Sequence, residues 1–390
     1  MVRLIDYWMI NPTTLATESD GAAISDFVSD AVDRWASDGS KEDAVETVES
    51  YRKYLSRKIV FIVACVLISL VVVGYSISVG AYGIGFFESY DIIWNHFFGE
   101  VGDGIKDSII FEMRLPRIVT GLIAGAGLAI CGAAMQSILM NPLADSYTTG
   151  VSAGAGFGAT VAIVANIQLI SGQYGTVLNA FVFSLIPTFA MIVIGRVRNA
   201  SPTVLIMAGI AVMYIFSAAS TLLQLWADPS SLQAVYRWTV GSLANAGWDA
   251  IPVMFVVTLA GSVVLMLLSG KINVLASGDE FAKTMGIDAD RLRMILMVLI
   301  ALITATIVSF TGLIGFVGLV CPHIVRLFVG SDNRFLLPGS AFFGASLLVL
   351  ADLFGRTVIS PAILQVGVVT AFLGGPVLIL LLLRRNGQVV

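Results

Sequence analysis

Two histidines, His96 and His323, and three cysteines, Cys65, Cys131 and Cys321, are the whole complement of imidazole and thiol groups in this sequence. The cysteines lie inside apolar runs, at spacings that fit no metal site, and their odd number fits no complete disulfide framework. They read as small apolar packing residues. His323 follows Pro322 and precedes Arg326 by three residues, a position that reads as helix-end packing rather than a proton relay. No His/Cys cluster is available for catalytic zinc, and no nucleophile–base pair stands out, so we assign no catalytic residue and no metal ligand. Nor is there a nucleotide site. The phosphate-cradling sequence G-x-x-x-x-G-K-[ST] is absent: the Gly-Lys pair at 270–271 is followed by Ile272, and position 265 is leucine. The chain is thus expected to bind no cofactor itself and not to be an enzyme.

The elements around these residues are set by composition. Of 390 residues, 57% are hydrophobic and 12% charged, against about 25% charged in an ordinary soluble domain. Mean hydropathy is +0.91. At about 20 apolar residues per membrane helix, the chain has room for roughly ten spans. No basic stretch points to nucleic acid. Stretches free of Lys, Arg, Asp and Glu occur at about 59–79, 118–140, 150–170, 176–195, 202–226, 250–270, 294–325, 335–351 and 362–383. The stretch 294–325 is too long for one span and contains Gly312, Gly315, Gly318 and Pro322, which can break a helix. Split in two, with the second helix shorter and ending near Phe328, it brings the expected total to ten.

Residues 1–50 differ from the rest, with eleven acids against three bases. No basic start leads into an apolar core, so this is no secretory signal. Ile24, Phe27, Val28, Ala31, Val32 and Trp35 fall at helical spacing, Gly39 is a candidate stop, and a second amphipathic stretch covers 41–56. We take 1–56 as an acidic cytoplasmic extension and 57–390 as the membrane domain.

Orientation follows from the lysines and arginines. With the N-terminus inside, inner connections receive Arg52, Lys53, Arg57, Lys58, Arg196, Arg198, Lys271, Lys283, Arg291, Arg293, Arg326, Arg334, Arg384 and Arg385. The outer side receives Lys106, Arg114, Arg117, Arg237 and Arg356. Fourteen against five places both termini in the cytoplasm.

The class of transport is narrowed by what the spans lack. Ion-coupled carriers usually bury an ionisable residue near the bilayer centre, and the expected span interiors contain none. If the chain pumps, a partner must supply the energy. One polar segment suits such a partner. Residues 275–286 carry Asp279 and Glu280 at the start of a short helix, Gly286 at its stop, and Ala282 between, small enough to leave room for another protein. Glycines recur in two spans, at 121, 125, 127 and 132 and at 150, 154, 156 and 158, allowing close backbone approach.

Taken together, several stretches resemble one family, the FecCD-type permease subunits of ABC importers for iron–siderophores, haem and cobalamin. They are Arg114-Leu-Pro-Arg117, the run from Gly125 to Gln136, Asn141-Pro-Leu-Ala144, Gly150 to Gly156, Gly312 to Val320 with Pro322-His-Ile-Val-Arg326, Leu337-Pro-Gly339, Ala351-Asp352 and Gly367-Val-Val-Thr370. The resemblance spans about residues 59–385. It implies an all-α membrane protein of ten helices with the inverted-repeat, type II importer permease fold, of which Asn141-Pro142 and Cys321-Pro322 are a faint sequence echo. It implies a homodimer in the lipid of the cell membrane, two ABC ATPase subunits carrying ATP and Mg on the cytoplasmic side, and an extracytoplasmic solute-binding protein.

The resemblance also implies three sites. Arg114, Arg117 and Arg356 are expected to pair with carboxylates of the binding protein, a contact suited to arginine, and Asp352 could hold Arg356 as an i,i+4 pair. Gly278, Glu280, Ala282 and Gly286 belong to the ATPase-coupling helix. Ser201, Pro202 and Thr203 form the inner gate, with Pro202 a departure from the small hydroxyl residues common there. A secondary carrier without an ATPase is the alternative class. For the cargo, ferric siderophore ranks first, then cobalamin, then haem.

Overall fold

In the computed structural model, residues 41–80, 82–197, 201–359 and 362–384 are described, and every regular element among them is helical. The tail before residue 41, with its expected helix around Phe27 and Trp35, lies outside them, as do Arg198 and Arg385. The chain divides into two compact units, the second of which begins at Lys58.

The helices are α1 Lys41–Ser78, α2 Phe86–Phe98, α3 Gly104–Ile138, α4 Val151–Val164, α5 Gly175–Val197, α6 Pro202–Gln224 and α7 Pro229–Thr239. After them come α8 Ile251–Leu267, α9 Ser269–Ala276, α10 Asp279–Thr284, α11 Ala289–Thr311, α12 Val317–Val329, α13 Asn333–Thr357 and α14 Val366–Arg384. Five of the starts follow local capping chemistry. Asp103, Ser201, Asp228, Asp288 and Asp332 each accept a backbone N–H of the helix that follows.

Six helices are long and apolar enough to cross a membrane, and the pair α8–α9, bent by 60°, makes a seventh if counted as one span. Three further apolar helices are shorter: Val151–Val164, Val317–Val329 and Val366–Leu380. By length and composition, six or seven full-length spans are thus counted among the described residues, against the ten expected. Val151–Val164 and Val317–Val329, of 14 and 13 residues, fall below about 17 residues, the usual minimum for a crossing, while α14 continues to Arg384.

The expected break inside 294–325 is present. α11 ends at Thr311 and α12 starts at Val317, with Gly312 at φ 72° and Phe316 at φ 68°. The expected echo at Cys321-Pro322 is not a break, because Pro322 lies inside α12, and His323 lies mid-helix rather than at an end.

Several spans begin earlier than the charge-free stretches, α3 and α11 among them. α3 passes through a π-helical turn, Ile109–Arg114, and carries Arg114 and Arg117 within it. α11 starts at Ala289 and takes in Arg291 and Arg293.

α3 is the central helix, with 83% of its most apolar window buried, against 72% for α13, 67% for α11, 22% for α1 and 17% for α6. It packs on α13, α12, α11 and α8, while α4 packs on α5 and α6. Two of its glycines explain the close approach. A Cβ on Gly125 would lie 2.3 Å from the Gly344 carbonyl oxygen of α13, and one on Gly132 would lie 1.7 Å from that of Gly318 in α12. Backbones at this separation leave no room for a side chain.

Candidate functional site

The residues singled out in the sequence fall at both ends of α3 and at the start of α6. Near the first end, Arg114, Arg117 and Arg356 come together. All three are buried, at 5%, 8% and 6% exposure, around Asp352 at 2%. Arg117 donates to Asp352 Oδ1 at 2.7 Å, and Arg356 Nε lies 3.0 Å from Oδ2. The expected i,i+4 pair is therefore present, and the same carboxylate also holds Arg117.

The remaining guanidinium donors point at the end of α1. Arg114 donates to the carbonyls of Ile77 (2.7 Å), Ser78 (2.9 Å) and Tyr82 (2.6 Å). Arg356 donates to the carbonyl of Val79 at 3.0 Å and to Ser76 Oγ. The last carbonyls of a helix lack partners within it and carry partial negative charge. The arginines thus satisfy the C-terminal end of α1 while one carboxylate offsets part of their charge. In this chain by itself the guanidinium groups expected to meet the binding protein face inward. Arg237 on α7 is exposed.

At the second end, α10 is bounded by Gly278 (φ 114°) and Gly286 (φ 74°). Both sit in the left-handed region that favours glycine, and neither is crowded. Glu280 is exposed. Ala282 is not available to a partner: it is fully buried, packed in the main core of the chain itself. Its small size serves the seating of α10 on its own protein. The outward side of the segment carries Phe281, Lys283, Thr284 and Met285, with Phe281 48% and Met285 60% exposed. This pair, four residues apart, was missed by the sequence reading. Its signal was an exposed apolar i,i+4 spacing on an otherwise polar segment.

Arg293, placed in a loop by its charge, is 0% exposed on α11. Its Nε donates to the Ile138 carbonyl of α3 at 2.9 Å, Nη2 to Asp279 at 2.5 Å, and Nη1 lies 3.5 Å from Asp290.

The expected gate has a local structural role. Ser201 is the N-cap of α6, its Oγ accepting from Val204 N at 3.4 Å, and Pro202 is the first helical residue. Proline is favoured there because its missing N–H would be unsatisfied anyway. Thr203 is exposed.

Among the described residues no three or more His, Cys, Asp and Glu side chains gather as a metal site, and the cysteines are free and buried. Two clefts are lined chiefly by apolar side chains. One, of about 410 Å³, lies between α5, α8 and α11 and carries Tyr174 and Asp249; the other, of about 530 Å³, lies between α1, α13 and α14. Tyr174 donates a hydrogen bond to Asp249 and holds its carboxyl below the ordinary range.

Comparison with known proteins gives a consistent picture. The FecCD transport family matches residues 63–384. The cobalamin import system permease protein BtuC of Halobacterium salinarum is 39% identical over 71% of this chain and 74% of its own length. The hemin transport system permease protein HmuU of Yersinia pestis is 35% identical over 72% of this chain and 84% of its own. A solved inward-facing ABC transporter of the metal-chelate type superposes with a TM-score of 0.73 at 29% identity, covering 83% of this chain and 98% of that one.

Proposed function

Because the chain belongs to the FecCD transport family, we propose that it forms the membrane pathway of an ATP-driven importer for a bulky metal chelate. Two copies pair in the cell membrane, two ABC ATPase subunits bind on the cytoplasmic side with ATP and Mg, and an extracytoplasmic binding protein delivers the cargo. All ten apolar segments are placed in the bilayer, with both termini inside. The path opens alternately to either side, without covalent chemistry on this chain.

The observation that carries this reading is the form of α10. It is a six-residue helix set between two left-handed glycines, with Ala282 seated in the core and Phe281 and Met285 turned outward. An apolar pair presented beyond the spans is suited to a protein groove. Residues 201–203, at the N-terminus of α6, are proposed as the inner gate, with Thr203 the exposed member. On the outer side the exposed Arg237 is the proposed contact for the binding protein, and buried Arg114, Arg117 and Arg356 are proposed to add to the positive field of that side.

The two named relatives carry cobalamin and hemin in their names. For this chain the proposed order is ferric siderophore, then cobalamin, then haem. Affinity purification of the tagged full chain from its native membrane, with partners identified and counted by mass spectrometry, tests the assembly. One P-loop ATPase per permease is expected. Recovery of a homo-oligomer without an ATPase, under conditions that preserve such complexes, would favour a secondary carrier.

A further inference from the structure

The last turn of α3 is tied to its surroundings one residue at a time. Gln136 donates to the Leu319 carbonyl of α12 at 3.2 Å and accepts from Arg326 at 2.9 Å. Ser137 donates to Asn333 of α13 at 2.9 Å, and Asn333 donates in turn to Asn273 of α9, also at 2.9 Å. Ile138 offers its carbonyl to Arg293 of α11, and Arg293 reaches Asp279, the first residue of α10. Immediately afterwards the chain turns, with Met140 at φ 48°.

We infer that Arg293 is a positioning residue that transmits displacement of α10 to α3. This rests on the reading of α10 as the ATPase contact. α10 packs chiefly on its sequence neighbours, α9 and α11. Arg293 supplies its polar connection to the central helix. Arginine fits because its guanidinium is a rigid planar fork, donating in several fixed directions at once. One arm meets the C-terminal end of α3, where carbonyls carry partial negative charge, and another meets a carboxylate at the start of α10. Full burial of the side chain strengthens both contacts relative to water. A salt bridge serving α10 alone would need no bond to Ile138. A cap for α3 alone would need none to Asp279.

The test uses the complex purified with its ATPase. Met140, 44% exposed, and Thr284, exposed on α10 beside the apolar pair, are replaced by cysteine and spin-labelled in one protomer, and their separation is measured by pulsed dipolar spectroscopy. ATP with vanadate is the probe. With Arg293 intact, one narrow separation is expected both with and without the probe, since α10 and the end of α3 move as a unit. In Arg293→Met, a second separation is expected on adding ATP and vanadate, and only then. If that variant does not fold, Asp279→Ala cuts the same link from its partly exposed side and carries the same expectation. A separation unchanged by the probe in the variant overturns the inference. So does a second separation already present without nucleotide, which assigns Arg293 to static packing. Failure of the wild-type chain to retain any ATPase is seen before a label is read, and it overturns the reading of α10 itself.

Discussion

Replacing Asp352 with alanine removes the one carboxylate that faces both Arg117 and Arg356. At 2.7 and 3.0 Å, each contact is worth about 6 kcal/mol if the effective dielectric is about 20. Losing the carboxylate forfeits both and returns its own desolvation cost, several kcal/mol for a buried ion. The guanidinium groups stay where they are, 8% and 6% exposed, with no anion between them. Breaking a buried pair from one side costs about 3–5 kcal/mol, a large fraction of the roughly 5–15 kcal/mol that holds a typical domain. At roughly 2 °C per kcal/mol, the lower end for larger domains, the melting midpoint of the detergent-purified chain should fall by about 6–10 °C. The assay is the loss of the monodisperse peak in fluorescence-detected size exclusion after graded heating. Asp352→Asn, which keeps shape but not charge, should fall part of the way. If the arginines instead serve an incoming partner, removing Asp352 frees them. Stability then stays put while binding-protein affinity rises, and that result would refute the brace.

Gly132→Ala places a Cβ against the backbone of Gly318, where nothing can rotate away, so a loss of at least about 1–3 kcal/mol is expected from overpacking, read as a lower melting midpoint. Gly286→Ala meets no atom within 4 Å and should cost only the left-handed conformation, roughly 1–2 kcal/mol, with Gly286→Asn closer to wild type in the same melt. Ser201→Ala removes the N-cap of α6 and should cost about 1 kcal/mol, with a larger effect on melting than on uptake in proteoliposomes. Thr203→Trp should do the reverse, slowing uptake with little change in melting, and an unaffected rate would argue against the gate at this place.

Legibility in the sequence depended on what kind of signal a residue leaves. The break between α11 and α12 was visible because glycines cluster where one helix must stop. The all-helical architecture was visible because a low share of charge and long apolar runs leave few other ways to satisfy a backbone in lipid. Charge was a poor guide wherever it was buried. Arg117 and Arg293 each marked the end of an expected span, yet both lie within helices, paired with Asp352 and Asp279 from other parts of the chain. Such partners stand 235 and 14 residues away, and only the fold brings them together. Ala282 was misjudged for a related reason. A small residue on a polar segment looks like clearance for a partner, but the same smallness suits a helix seated against its own core.

The two ends of α3 bear on each other. At its start the arginine cluster joins it to α1 and α13; at its finish three consecutive residues join it to α12, α13 and, through Arg293, to α10. Between them Gly125 and Gly132 hold it against α13 and α12 with backbone touching backbone. Close-packed interiors transmit strain because they have little free volume in which to absorb it, and this helix has none of the side-chain slack that would let it slide past its neighbours. On the proposed coupling, a displacement entering at Ile138 would carry α3 and α13 together, and their far ends share Asp352. On this view the buried cluster is more than a static brace: it couples the two helices at the end away from α10. Cutting it with Asp352→Ala should uncouple their ends even in molecules that still fold.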